Sequence, residues 1–191
     1  MTDPFANSTY RPLPAEAACL LRQVHAQPRL IAHLILVHDV ASKLVERLAE
    51  VFPELTFDAE AVLFGAATHD IGKAIEGAEL IRSGEDHPKR GEELLRKLGV
   101  PPERARFAFT HGNWTTGEGV GLDDLLVALA DKCWKGKRIA ELETKVVNFI
   151  ASVSGEPAWS CFAKLDEILQ GLAVDADSRL AWLGSFAPHS S

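Results

Sequence analysis

Apolar residues recur at helical spacing along nearly the whole chain, and no segment shows the alternation of a half-buried strand. The longest stretch opens at Pro28, where a first-turn proline is tolerated, and runs to about Phe52, where Pro53 stops it. Asp58 is a good N-cap for a helix to about Asp70, which Gly72 ends. A short helix is predicted from Ala74 to about Arg82. Pro88 opens another to about Leu98, with Gly99 just past its end. Pro101 and Pro102 open one that stops at His111 and Gly112. Residues 113–121 read as a loop, and Asp123 or Asp124 starts a helix to about Trp134. Two or three helices fill 137–186, broken near 155–157 and near Gly171. The expected fold is an all-α, single-domain bundle. It has an irregular arm over 1–14, a core over 15–140 and packing helices over 141–191, where Trp159, Phe162, Leu165, Ile168 and Leu169 are expected inside.

Two of these helices lack a polar face. Residues 61–67, AVLFGAA, and 125–130, LLVALA, are apolar all round, which places them in the bundle centre. The first ends in Thr68, His69 and Asp70, the second in Asp131 and Lys132. A carboxylate buried there needs a partner or a metal. On the long helix, Leu30, His33, Val37, Val40, Leu44 and Leu48 share one apolar stripe, so His33 points inward. His38 is five residues on, about 140° round the helix, and shares its face with Ser42 and Glu46. It is expected to face outward. His87 stands at a helix start and His111 at a helix end, where side chains can project to a common centre.

Composition narrows the function. The 191 residues carry 20 Lys+Arg against 27 Asp+Glu, a net charge of −7, which disfavours bulk nucleic-acid or anionic-membrane binding. No apolar run approaches the ~18 residues of a membrane span. The N-terminus lacks a basic start followed by an apolar stretch, and Cys19, Cys133 and Cys161 form no paired motif. A cytoplasmic protein is expected. His33, His69, Asp70, His87, His111 and Asp131 then form a mixed nitrogen and oxygen set without thiolate. Such a set suits Mn, Fe, Co, Ni or Zn better than Mg or Ca, and six ligands fit two ions sharing a carboxylate. Each residue has an ordinary structural role when taken singly; their joint occurrence in this order is what those roles leave unexplained.

The order H…HD…H…H…D resembles the HD-domain superfamily of metal-dependent phosphohydrolases. Thr68–Lys73, THDIGK, resembles its signature turn; His87-Pro88 with Gly91 resembles its HPxxG motif; Leu129-Ala130-Asp131 resembles its closing alanine–aspartate. The resemblance covers roughly residues 28–140 and implies an HD-type helical bundle. It also implies one metal at His33, His69, Asp70 and Asp131, and a second at Asp70, His87 and His111, with Asp70 bridging. Nothing resembles the GYP motif of the cyclic-di-GMP branch. The layout after His111 is similar to the branch that cleaves symmetrical dinucleoside tetraphosphates, from which Asn113-Trp114 departs.

Lys73, Lys89, Arg90, Lys132, Lys135, Lys137 and Arg138 follow the candidate ligands closely and would focus a positive field on an anionic substrate. The expected activity is phosphohydrolysis of a nucleotide or other small phosphate ester or anhydride, by a water made acidic by two divalent transition-metal ions. Asp70 and Lys73 are the expected catalytic residues, and Lys73, Arg90, Lys132, Lys135 and Arg138 the expected substrate contacts. The alternatives are a diiron oxygenase, since some HD-fold proteins use the same six ligand types, and a non-catalytic nucleotide sensor. Trp114 and Trp134 are expected to pack rather than to stack a base.

Overall fold

A computed structural model describes residues 3–75, 87–115 and 119–186. Among them there is no strand. The helices are α1 (Ala15–Gln23), α2 (Pro28–Val51), α3 (Ala59–Thr68), α4 (His87–Lys97), α5 (Pro102–Ala105), α6 (Phe107–Thr110), α7 (Leu122–Cys133), α8 (Ala140–Ser154), α9 (Ala158–Ala173) and α10 (Ala176–Gly184). Short 3-10 turns lie at Pro4–Ala6 and Ile71–Ala74. Residues 101–111 form two short helices instead of one. Arg106 between them keeps helical dihedrals, so the run bends without breaking. The helix expected over 74–82 falls mostly outside the described residues.

Helix α2 is the axis of the fold. It packs against α3, α7 and α9, and α3 packs against α7. Pro28 at the first helical position gives up an amide that would have no partner anyway. One core cluster joins α2 and α7 to α8 and α9 through Leu44, Leu48, Leu126, Val146 and Leu165. A second lies between α1, the start of α2, α3 and α4, around Leu21, Leu34, Phe64 and Leu95. As their all-apolar sequences require, α3 and α7 are buried nearly all round. Asp58 caps α3, its Oδ1 accepting the Ala61 amide at 2.9 Å.

His38 departs from expectation: it is buried, with only 5% of its surface exposed. The N-terminal arm is the reason. The 3-10 turn Pro4–Ala6 packs on α2, the Arg11 amide donates to Asp39 Oδ1 at 3.1 Å, and the Arg11 guanidinium pairs with Glu46. The arm thus lies along the face that the helix phase leaves to solvent, where His38 and Ser42 are buried and Glu46 stays exposed.

Two expectations for the C-terminal helices also change. In α9 the buried stripe is Cys161, Leu165, Ile168, Leu169 and Leu172, which includes the expected Leu165, Ile168 and Leu169. Trp159 lies two residues before it, about 200° round the helix, and is 75% exposed. Phe162 sits beside the stripe and is also exposed. Helix α9 runs through Gly171 and ends only at Ala173, since an interior glycine costs a helix only about 1 kcal/mol. None of the helices among the described residues is long and apolar enough to cross a membrane.

Candidate metal centre

His33 stands in the first half of α2, one turn below Arg29. His69 and Asp70 leave the C-terminal end of α3, His87 opens α4, His111 follows the last residue of α6, and Asp131 lies near the end of α7. The fold brings all six together. What lets α4 approach is a pair of glycines. A Cβ on Gly72 would meet the carbonyl oxygen of His87 and come within 2.8 Å of the Gly91 amide nitrogen. Without side chains there, the turn that carries Asp70 lies directly on the first turns of α4. Gly65 serves α3 in the same way: an added Cβ would lie 2.7 Å from the Phe107 ring and 2.8 Å from Val127.

Asp70 is at the centre of the cluster, and its two oxygens face different partners. Oδ2 lies 3.1 Å from His33 Nε2 and 3.6 Å from His69 Nε2. Oδ1 lies 3.3 Å from His87 Nε2 and 3.5 Å from His111 Nε2. Asp131 Oδ1 joins the first side, 3.4 Å from His69 Nε2 and 3.7 Å from His33 Nε2. Two groups have ligating atoms all within 4.8 Å of one another: His33, His69 and Asp131, and His69, Asp70 and His111.

The rings are held from behind. His69 Nδ1 donates to the Ala66 carbonyl at 2.9 Å, and His111 Nδ1 to the Ala108 carbonyl at 2.9 Å. Each bond leaves Nε2 as the basic nitrogen directed at the cluster, the orientation that a carbonyl behind the ring imposes on metal-binding imidazoles. Trp134 packs edge to face on His33, ring centres 5.2 Å apart.

Burial alone would raise both carboxyls. Around Asp70 it is outweighed by His69, His111, His33 and His87, which hold the group well below the usual carboxylate range. Around Asp131 it is outweighed by His69 and Lys132. Burial pushes the His111 imidazole down, against the pull of Asp70. The set therefore presents ionised carboxylates and, at His111, a neutral imidazole, the forms in which these side chains bind cations. His69 Nε2 and Asp70 Oδ1 are buried and take no hydrogen bond from any described group. Two unsatisfied buried donor atoms in a thiolate-free cluster fit divalent transition metals.

A cavity of about 630 Å³ opens above the cluster, lined by His33, Asp70, His87, Pro88, His111 and Asp131 together with Lys73, Gly112, Asn113, Lys132 and Lys135. Lys73 Nζ lies 2.6 Å from Asp70 Oδ2 and Lys132 Nζ 2.6 Å from Asp131 Oδ2. The other basic residues lie elsewhere. Arg138 does not line the cavity: its guanidinium is bidentate to Glu143 at 2.8 Å and bonds Asp166 at 2.7 Å, which ties α8 to α9. Arg90, Lys89 and Lys137 are likewise absent from the lining. A second cavity, about 260 Å³, opens on the other side of His33 between Gln27, Arg29, Leu30 and Leu183, and shares His33, Asp70 and Lys73 with the first. Trp114 lines neither; it walls a separate groove against α8.

A family model described as HD domain matches residues 30–134, more than half of the chain. The chain belongs to the HD-domain family. The matched HD domain runs from the first turns of α2 to Trp134 and contains all six clustered residues. The HD-domain family is largely one of metal-dependent phosphohydrolases, and membership implies divalent-metal binding and a hydrolase-type function in general. No curated protein and no solved structure matches the chain.

Sequence reasoning overlooked one residue that positions this HD domain's site. Asp124 is fully buried. Its carboxylate accepts Thr110 Oγ1 at 2.8 Å, Arg106 Nε at 3.0 Å and the Gly121 amide at 3.1 Å. It thereby clamps the start of α7, which carries Asp131, to α6, which His111 directly follows. As a first-turn acid of an apolar helix it reads as an ordinary dipole partner; only its burial distinguishes it.

Proposed function

We propose that this chain is a phosphohydrolase that holds two divalent transition-metal ions and acts on a small anionic phosphate compound. The observation that carries this reading is the division of the Asp70 carboxylate, one oxygen toward His33 and His69 and the other toward His87 and His111. In that arrangement His33, His69, Asp70 and Asp131 would hold one ion, and Asp70, His87 and His111 the other. Two such ions would supply Lewis acidity at a phosphoryl oxygen and a water acidic enough to serve as nucleophile near neutral pH.

The rest of the work belongs to the chain's own groups. Lys73, Lys132 and Lys135 bring positive charge to the cavity, and this favours phosphate chemistry over oxygen chemistry at the same ligand set. Lys73, a lysine anchored on Asp70, binds a phosphoryl oxygen of the substrate and stabilises the charge that develops there. The Asn113 amide donates to the Phe109 carbonyl at 3.0 Å, which fixes it at the rim of the same cavity. Nucleotides and generic phosphate esters, offered to Mn- or Co-loaded protein, test the reading beside an oxygen-consumption assay of Fe-loaded protein. Phosphate release without oxygen uptake is expected. Oxygen uptake without phosphate release would replace this reading with the oxygenase one.

A further inference from the structure

The second cavity is open to solvent, with Gln27 and Arg29 exposed along it, and it is continuous with the site in its lining. It shares its floor with the main cavity, since His33, Asp70 and Lys73 line both. Its far wall comes from two distant parts of the chain: Gln27, Arg29 and Leu30 at the start of α2, and Leu183 in α10. Arg29 Nη1 donates to the Leu183 carbonyl at 3.2 Å, which holds the guanidinium against the cavity wall. Among the described residues Arg29 pairs with no carboxylate, whereas Arg11, Arg104, Arg106 and Arg138 all do. One of its five N–H donors is thus engaged and the planar fork remains available beside the cluster.

We propose that this cavity receives a second anionic group of the substrate, and that Arg29 is the specificity residue that recognises it. The proposal rests on the phosphohydrolase reading above and adds the substrate class: a compound with two separated anionic groups, such as a bisphosphorylated molecule or a condensed phosphate chain. With one phosphoryl group over the Asp70 cluster, the molecule extends past His33, and its second group meets Arg29. A guanidinium matches the paired oxygens of such a group by two parallel hydrogen bonds, a geometry that an ammonium lacks. Lys73 stands at the junction of the two cavities and serves the first group. Arg29 lies four residues before His33, one helical turn away, so α2 fixes the spacing between the two groups.

Binding of inert analogues separates this role from a structural one. Mn-loaded wild type, Arg29→Gln and Arg29→Lys are titrated calorimetrically with methylphosphonate and with bisphosphonates whose linkers hold one to four methylenes. In wild type one linker length should bind at least tenfold tighter than methylphosphonate, the scale of one charge-assisted contact. In Arg29→Gln that excess should fall to about twofold or less, with Mn content, melting temperature and methylphosphonate affinity unchanged. Glutamine is neutral and shorter, so the melting temperature and the methylphosphonate affinity report whether loss of the Leu183 tether alone disturbs the fold. Arg29→Lys should recover part of the excess. An excess that persists in Arg29→Gln, or an equal loss for all the ligands, overturns the proposal. Failure of methylphosphonate itself to bind Mn-loaded wild type would instead sink the phosphohydrolase reading on which it stands.

Discussion

Replacing His38 with leucine removes a buried titratable group and leaves every residue of the candidate centre in place. The His38 ring is buried, and its Nδ1 has no hydrogen-bond partner among the described residues. Burial is the main reason its pKa falls to about 4; Asp39 pulls it up and Arg11 pushes it down. In the unfolded chain an imidazole titrates near ~6.5. The folded value is the lower one, so as the pH falls the unfolded chain takes up the proton first. The stability that depends on a neutral His38 is complete above about pH 6.5 and is lost as the pH falls toward 4. That difference corresponds to about 3 kcal/mol in total, of which about 2–3 kcal/mol is gone by pH 4.5. Urea unfolding of metal-stripped wild type and His38→Leu, near pH 7 and again near pH 4.5, measures it, because all other groups titrate in both proteins and cancel. Wild type should lose about 2–3 kcal/mol more than the variant over this range. Equal losses would refute the reasoning, since His38 would then bind its proton as readily folded as unfolded.

Lys73→Ala should keep its metals, because no ligand is removed, and lose about 10²–10³-fold in catalytic efficiency, as when one preorganised electrostatic donor is deleted; metal content and steady-state kinetics on one preparation check this. Gly72→Ala adds a methyl group against the His87 carbonyl and the Gly91 amide. It should cost about 1–3 kcal/mol in denaturant unfolding and weaken metal retention by displacing His87. Asp124→Ala strips a buried acceptor from Thr110, Arg106 and the Gly121 amide. It should cost about 2–3 kcal/mol and weaken metal binding as well, although Asp124 touches neither cavity.

Much of the candidate site is legible in the sequence because helix phase and helix ends carry it. His33 falls on the apolar stripe of α2, and the all-apolar α3 and α7 can only be central, so the carboxylates at their ends are drawn inside. The gathering of His87 and His111 rests on tertiary approach, and the sequence shows it only as glycines and prolines at the right joints. Phase fails where it is silent about cover. It places His38 correctly relative to His33, yet a segment with three prolines in its first fourteen residues gives no periodicity that would reveal it folding back over that face. Trp159 fails for the opposite reason: its apolar character invited burial, but its position on α9 lies across from the stripe set by Cys161 and Leu165. Arg138 shows the limit of counting charges near a ligand. Proximity in sequence to Asp131 does not reveal that Glu143 and Asp166 claim its guanidinium. Arg29 was within reach, since a residue four before an inward histidine shares its face one turn away.

The proposed two-ion centre stands or falls on Asp70 as its bridge. Metal content of purified wild type and Asp70→Ala, both produced with Mn or Co supplied, tests it most directly. Wild type should carry close to two ions per chain and Asp70→Ala should lose both, with the helical circular-dichroism spectrum retained. A wild-type chain without transition metal, or an Asp70→Ala chain that keeps two ions, would contradict it.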